Sequence, residues 1–134
     1  MNPLLGTISP LASVSEQAII EAGAVIEPFA FVEAGVHIGA GSWVAPHAVI
    51  HSGTTIGADC KIFSGAVVGA VPQDLKFNGE SSTVEIGDRT VIRECVTINR
   101  ATTDRMVTKV GSDCLIMAYC HLAHDVHVGD HVII

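Results

Sequence analysis

The 134-residue chain is long enough to form one domain with its own hydrophobic core. Its net charge of −7 argues against a nucleic-acid partner, and no apolar run approaches the roughly 20 residues of a membrane span. No signal peptide opens the sequence, so we expect a soluble, cytoplasmic protein. The four cysteines lack CxxC spacing, which indicates neither a zinc knuckle nor a disulfide framework.

A six-residue repeat runs through the whole chain. Aliphatic residues recur at every sixth position from Ile8 to Val68, then at 86, 92 and 98, and again from Val110 to Ile134. The residue four places after each of them is nearly always small or β-branched. A period of six fits neither an amphipathic helix nor a simple strand. It predicts an all-β, left-handed parallel β-helix of hexapeptide repeats, a triangular prism occupying residues 1–134 as one domain.

Two insertions interrupt the repeat and predict two external loops, at about residues 72–83 and 101–107. Counting the hexads in threes assigns each to one face of the prism. The hexads that begin at Val68, Ile98 and Leu122 then belong to the same face, in successive coils. Both loops and His124 are therefore predicted to lie at one corner of the prism, which would form a walled site.

The outward residues of the two other columns of hexads are largely apolar. They include Phe31, Val49 and Val67 in one column, and Trp43 and Leu115 in the other. Exposed apolar stripes of this kind usually pack against a partner. We therefore predict a homotrimer with cyclic symmetry and a site between subunits.

All seven lysine and arginine residues lie between Lys61 and Lys109, although the chain as a whole is acidic. Such a basic belt could receive an acidic partner or a phosphate group. Ordinary solvated charges would explain the same residues equally well.

The segment from Ile116 to Val128 keeps the repeat while it places His121, His124 and His127 on the outside. Histidine is a suitable general base near neutral pH, and it needs a partner that fixes its tautomer. Asp125 is a candidate for that partner, but neighbours on extended chain point to opposite sides. We therefore also consider a carboxylate from another coil.

In the first predicted loop, Asp74 and Lys76 are two residues apart. The ammonium group of Lys76 could meet a phosphate, and Asp74 could accept a hydrogen bond from a sugar hydroxyl. A surface ion pair of little energetic value would use the same two residues. No serine or cysteine nucleophile accompanies a histidine, which favours direct transfer over a covalent intermediate.

Three segments, QDLKFNGE, VEIGDRTVIRECVTINR and MAYCHLAHDVHVGD, resemble the bacterial UDP-N-acetylglucosamine 3-O-acyltransferases, which perform the first step of lipid A synthesis. The resemblance implies that His124 is the general base, that Gln73, Asp74, Lys76 and His121 bind substrate, and that no metal or cofactor takes part. The implied acyl donor is a 3-hydroxyacyl chain on the phosphopantetheine of acyl carrier protein. Acyl carrier protein is acidic and would suit the basic belt.

Members of that family are about twice as long as this chain and add further coils and a C-terminal helical domain. Because the chain stops at Ile134, at the start of a new hexad without a polar cap, we expect it to be a fragment of doubtful activity. Three alternatives stay open: the N-acyltransferase of the same pathway, a zinc hydratase with this fold, and a non-catalytic β-helix.

Overall fold

A computed structural model describes residues 6–134 of the chain. These residues form eighteen short strands and no helix. The strands are β1 (Thr7–Ile8), β2 (Ser13–Val14), β3 (Ile19–Ile20), β4 (Val25–Ile26), β5 (Phe31–Val32), β6 (His37–Ile38), β7 (Trp43–Val44), β8 (Val49–Ile50), β9 (Thr54–Ile56), β10 (Lys61–Ile62), β11 (Val67–Ala70), β12 (Thr83–Ile86), β13 (Val91–Ile92), β14 (Thr97–Asn99), β15 (Val107–Val110), β16 (Leu115–Ile116), β17 (His121–Leu122) and β18 (His127–Val128).

The strands form three parallel sheets of six strands, and each sheet takes every third strand. We call them the first sheet (β1, β4, β7, β10, β13, β16), the second sheet (β2, β5, β8, β11, β14, β17) and the third sheet (β3, β6, β9, β12, β15, β18). The chain therefore visits the three sheets in turn, as in a left-handed parallel β-helix, which confirms the predicted fold.

The register between coils follows the hexapeptide pattern. In the second sheet Val68 pairs with Ile98, and Ile98 pairs with Leu122. The two insertions therefore leave the alignment of the coils unchanged. Their strand-free segments run over residues 71–82 (the first loop) and 100–106 (the second loop), each starting and ending one residue before the predicted bounds.

The core is a stack of aliphatic side chains that repeat from coil to coil. Twelve large side chains are almost fully buried: Ile26, Ile38, Ile50, Ile56, Ile62, Ile92, Ile98, Ile116, Val32, Val36, Val44 and Val68. Small inward residues such as Ala66 and Cys60 leave room for them near the corners. Burial of apolar surface of this kind stabilises each coil only when the next coil covers it.

Several corners of the prism place a residue other than glycine at positive φ. Cys95, Tyr119 and Asp125 are examples, with φ of 59°, 65° and 64°. A residue in this conformation bends the chain sharply within one step, so neighbouring side chains no longer alternate as they do along a strand. Membrane-spanning helices are not found in residues 6–134.

Candidate active site

The candidate site lies at the corner that follows the second sheet. The first loop leaves this corner after β11, the second loop after β14, and His124 stands just beyond β17. Because β11, β14 and β17 are consecutive strands of one sheet, three adjacent coils each bring one part of the site to this corner.

His124 is held by its chain neighbour. Its Nδ1 lies 2.8 Å from Oδ2 of Asp125, a hydrogen-bond distance, and its side chain is 30% exposed. The expectation that these neighbours would point to opposite sides is wrong, because Asp125 has a φ of 64° and does not continue an extended strand. With Nδ1 as the donor to this carboxylate, Nε2 carries the free lone pair of the neutral ring.

The second loop surrounds the Asp125 carboxylate with donors. The backbone N–H of Thr102 lies 3.1 Å from Oδ1, the Thr102 hydroxyl donates to Oδ2, and the backbone N–H of Arg105 lies 3.1 Å from Oδ1. Burial alone would raise the pKa of Asp125, but the hydrogen bonds from Thr102, His124 and the Arg105 backbone hold that pKa below its usual value. Asp125 is therefore ionised at neutral pH.

The opposite edge of the His124 ring, which carries Nε2, lies near the first loop. Nε2 lies 3.9 Å from Oδ2 of Asp74, which is too long for a direct hydrogen bond. Asp74 itself shapes the loop, since its Oδ1 accepts from the backbone N–H of Lys76 at 2.9 Å and its carbonyl accepts from Phe77 at 3.0 Å. Both side chains are partly exposed, 30% for His124 and 26% for Asp74, so solvent reaches this part of the site.

Gln73 and Lys76 flank Asp74 on the exposed part of the first loop. Among residues 6–134, no carboxylate forms an ion pair with Lys76, so its ammonium group is available to a ligand. Both residues lie in the loop that reaches His124, and their side chains face solvent.

The other two histidines of the segment have different surroundings. His121 lies on the outer side of the second sheet, where Nδ1 is 2.7 Å from the Thr97 hydroxyl. His127 lies in the third sheet, and its Nε2 is 3.0 Å from the Val107 carbonyl oxygen. Within the described part of the chain, no three side chains of His, Cys, Asp or Glu are grouped as metal ligands would be.

The basic belt is spread over several elements: Lys61 lies in β10 of the first sheet, Lys76 in the first loop and Lys109 in β15 of the third sheet. Arg89 is paired with Asp113 at 2.8 Å and Arg93 with Glu94 at 2.7 Å, so two of its charges are compensated. Lys76, Arg105 and Lys109 are exposed, and none of the three has an ion-pair partner in residues 6–134. These three belong to the two loops and to β15, the strand that follows the second loop.

Sequence reasoning did not find Thr102. The position of the second loop in the column of His124 indicated that the loop borders the site. A threonine inside a loop gives no sign, however, that its hydroxyl and its N–H are both directed to one carboxylate. The useful signal would have been the high polarity of Thr102 and Thr103 at the base of an inserted segment.

Comparisons with known proteins agree with this architecture. The profile of the family described as bacterial transferase hexapeptide (six repeats) matches residues 35–70 and 108–134. Two curated relatives, from Gloeothece citriformis and Chlorobaculum tepidum, are named acyl-[acyl-carrier-protein]–UDP-N-acetylglucosamine O-acyltransferase. They are 55% identical over 74 residues and 60% identical over 67 residues, which is 55% and 50% of this chain but 27% and 25% of theirs.

Two solved structures are similar over nearly the whole chain. LpxA from Acinetobacter baumannii has a TM-score of 0.93 at 40% identity, over 96% of this chain and 50% of that one. LpxA from Bacteroides fragilis, a UDP-N-acetylglucosamine acyltransferase, has a TM-score of 0.91 at 46% identity, again over 96% and 50%. The chain therefore spans about half the length of these proteins.

Proposed function

We propose that this chain, which is related to the N-terminal portion of the bacterial acyl-[acyl-carrier-protein]–UDP-N-acetylglucosamine O-acyltransferases, supplies the general base and part of the sugar-binding site for that reaction. The reaction transfers a 3-hydroxyacyl chain from acyl carrier protein to the 3-hydroxyl of UDP-N-acetylglucosamine, the first step of lipid A biosynthesis. One observation carries the proposal: His124 has Nδ1 bonded to an ionised Asp125 and Nε2 facing the Asp74 loop.

His124 acts first as a base in this proposal. Its Nε2 accepts the proton of the sugar 3-hydroxyl while the 3-oxygen attacks the thioester carbonyl carbon. The new C–O bond gives a tetrahedral oxyanion, which collapses and breaks the C–S bond to the phosphopantetheine thiol. The His124 imidazolium returns the proton to the departing sulfur, so the protons balance and the histidine is neutral again.

Asp125 and Asp74 have different roles in this proposal. Asp125 keeps the proton on Nδ1 and stabilises the imidazolium that forms during the attack. Asp74 accepts a hydrogen bond from a second sugar hydroxyl, since the 3-hydroxyl has only one proton and donates it to His124. Because Nε2 is not hydrogen-bonded to Asp74, each of the two groups can contact a different sugar hydroxyl.

The remaining residues of the proposed site contact other parts of the substrates. Lys76 meets the diphosphate of the sugar nucleotide, and Gln73 and His121 bind substrate beside it. Lys109 and Arg105 contribute positive charge for the acidic acyl carrier protein. The donor is carried on the carrier's phosphopantetheine, so the proposed reaction uses no separate cofactor and no metal.

We further propose that the protein is a cytoplasmic homotrimer whose active site lies between subunits. Apolar side chains on the outer faces support this, since Phe31 is 41% exposed and Ile133 is 71% exposed. Sedimentation equilibrium tests the trimer. A species of one chain's mass at micromolar concentration contradicts it.

The test of the reaction is transfer from 3-hydroxyacyl-acyl carrier protein to UDP-N-acetylglucosamine, followed by mass spectrometry of the sugar product. We expect His124→Gln to lower the rate at least about 100-fold, since the general base is lost. His127→Gln is the matched control, because that ring is bonded to a carbonyl in the third sheet and its loss should change the rate less than about twofold. Equal rates for the wild type and His124→Gln would disprove the role of His124.

A further inference from the structure

We infer that Arg100 is a positioning residue that holds the first loop, and with it Asp74, in place beside His124. The expected effect on catalysis rests on the proposed function, whereas the contacts of Arg100 do not depend on that function. Arg100 is the first residue of the second loop, and its backbone N–H donates to the Ala70 carbonyl at 2.9 Å, just before the first loop begins. The residue thus lies at the stem of one loop and at the start of the other.

The guanidinium of Arg100 contacts the first loop through an aromatic ring. Its Cζ lies 5.2 Å from the centroid of the Phe77 ring, within the range of a cation–π interaction. Phe77 is joined to Asp74 by a backbone hydrogen bond of 3.0 Å, and Asp74 Oδ1 accepts from Lys76. Fixing the Phe77 ring therefore fixes the turn that presents the Asp74 carboxylate.

Within residues 6–134, no hydrogen bond or ion pair involves this guanidinium. Its Nε is buried and has no hydrogen-bond partner, and in residues 6–134 no carboxylate lies within ion-pair distance of it. Arg100 also borders two cavities, one with Ser52 and Ser82, the other with Glu33 and His51. With its Nε unpaired, this half-buried guanidinium has the Phe77 ring as its interaction partner, and the contact links Arg100 to the first loop.

The same chain contains a matched arginine that serves as a control. Arg93 lies 4.5 Å from the centroid of the Phe63 ring, but its Nε also bonds to Glu94 at 2.7 Å. Both of these arginines stack on phenylalanine, yet only Arg100 contacts a loop of the candidate site. A change at Arg93 removes a cation–π contact of the same kind without touching the first loop.

The direct test is limited trypsin digestion, with mass spectrometry of cleavage after Lys76, which is exposed in the first loop. Cleavage requires the loop to open, so its rate follows the open population. We expect Arg100→Met and Phe77→Leu each to raise this rate about 3- to 20-fold, and the double variant to show no further increase. Arg93→Met should leave it within about twofold.

A second readout separates positioning from simple support. Arg100→Met should raise the KM for UDP-N-acetylglucosamine about tenfold with kcat changed less than threefold, since Asp74 binds the sugar. Arg100→Lys keeps the charge and serves as the milder variant if the methionine variant fails to fold. It should give intermediate values of both quantities.

The outcomes distinguish this inference from the proposed function. Unchanged cleavage after Lys76 in Arg100→Met overturns the inference, whatever the enzyme does. Faster cleavage with an unchanged KM also overturns it, because the order of the first loop would then have no effect on binding of the sugar nucleotide. If the wild-type chain transfers no acyl group, the proposed function fails, and the digestion alone tests whether Arg100 holds the loop.

Discussion

The two loops at the candidate site have opposite constructions. The second loop turns inward: Ala101 is fully buried, Thr102 is 6% exposed, and three donors from Thr102 and Arg105 reach one carboxylate. The first loop turns outward, and Leu75 at its tip is completely exposed. Its side-chain contacts with other parts of the molecule include Asp74 with His124 and Phe77 with Arg100.

The second loop therefore supports His124 through Asp125, whereas the first loop is open to a ligand. The second loop fixes Asp125, which fixes His124, so the proposed general base is in position before any ligand arrives. The first loop brings Asp74 to 3.9 Å from His124 but leaves Gln73 and Lys76 in solvent. It is therefore the part of the site that is left to interact with a ligand. The following variants test this division.

Asp125→Asn should have the largest effect. The amide cannot accept from all the donors that now surround the carboxylate, and hydrogen bonds to charged groups contribute about 1.5–3 kcal/mol each. We expect the free energy of unfolding to fall by about 3 kcal/mol and acyl transfer to fall at least about 100-fold. Urea denaturation and the transfer assay measure the two losses. A change in unfolding free energy below about 0.5 kcal/mol would contradict the clamp described for the second loop.

The same pair of proteins gives a pH test. The pKa of Asp125 is lower in the folded protein than in the unfolded chain, where a value of about 3.9 is expected. The stabilisation from its ionised form is therefore complete above about pH 4 and is lost as the pH falls through the folded-state pKa. The difference in unfolding free energy between wild type and Asp125→Asn should narrow as the pH falls below about 4, where the carboxylate becomes protonated. A difference that grows below about pH 4 has the opposite sign and would refute this.

Gly69→Ala, at the stem of the first loop, should have the next largest effect. Gly69 has a φ of 93°, and an added methyl would overlap the Thr54 hydroxyl oxygen. Backbone strain and this overlap together should cost about 2–3 kcal/mol of unfolding free energy. Gly79→Ala is the control, since Gly79 has a φ of 80° but open space around it, and strain alone costs about 1 kcal/mol. Equal costs in thermal denaturation would mean that the stem is no more constrained than the far end of the loop.

Thr102→Val should have a smaller effect on the second loop. The substitution removes the hydroxyl bond to Asp125 and keeps the backbone N–H bond, so the unfolding free energy should fall by about 1–2 kcal/mol. The pKa of Asp125 should also rise toward its usual value, so the loss of unfolding free energy on acidification should begin at higher pH. Thr103→Val, at the exposed neighbour, is the control and should do neither. If Thr102→Val and Thr103→Val had identical pH profiles, the Thr102 hydroxyl would have no effect on the Asp125 carboxylate.

Leu75→Ser should have the smallest effect on stability. The side chain is fully exposed and touches no core residue, so the unfolding free energy should change by less than about 0.5 kcal/mol. A loss of more than 1 kcal/mol, measured by urea denaturation at low protein concentration, would show that the tip of the first loop is packed after all.

Much of the fold could be predicted because the repeat determines the register. Once Val68, Ile98 and Leu122 are assigned to the same column, the convergence of both loops and His124 follows from counting. The aliphatic positions need no knowledge of distant contacts, since each packs mainly against the equivalent residue one coil away. Periodic sequence therefore carries long-range information that a sequence without repeats does not.

The details of the site could not be predicted in the same way. The contact between His124 and Asp125 depends on a positive φ at an aspartate, and a hexapeptide pattern marks the corner but not its dihedral angles. Thr102 and the stacking of Arg100 on Phe77 lie in inserted segments, where the period no longer applies. Inside the loops, only side-chain geometry decides which groups meet.

The unequal coil lengths have a mechanical consequence. Along the second sheet the repeat is 18 residues from Ser13 to Phe31, but 30 residues from Val67 to Thr97 and 24 from Thr97 to His121. A chain pulled from its C-terminal end in an optical trap would unwind coil by coil. Each ordinary coil would release about 6 nm of contour length, and the two loop-bearing coils about 8 and 10 nm. The order of the two long steps would give the position of the candidate site along the chain, because the 24-residue coil unwinds before the 30-residue one.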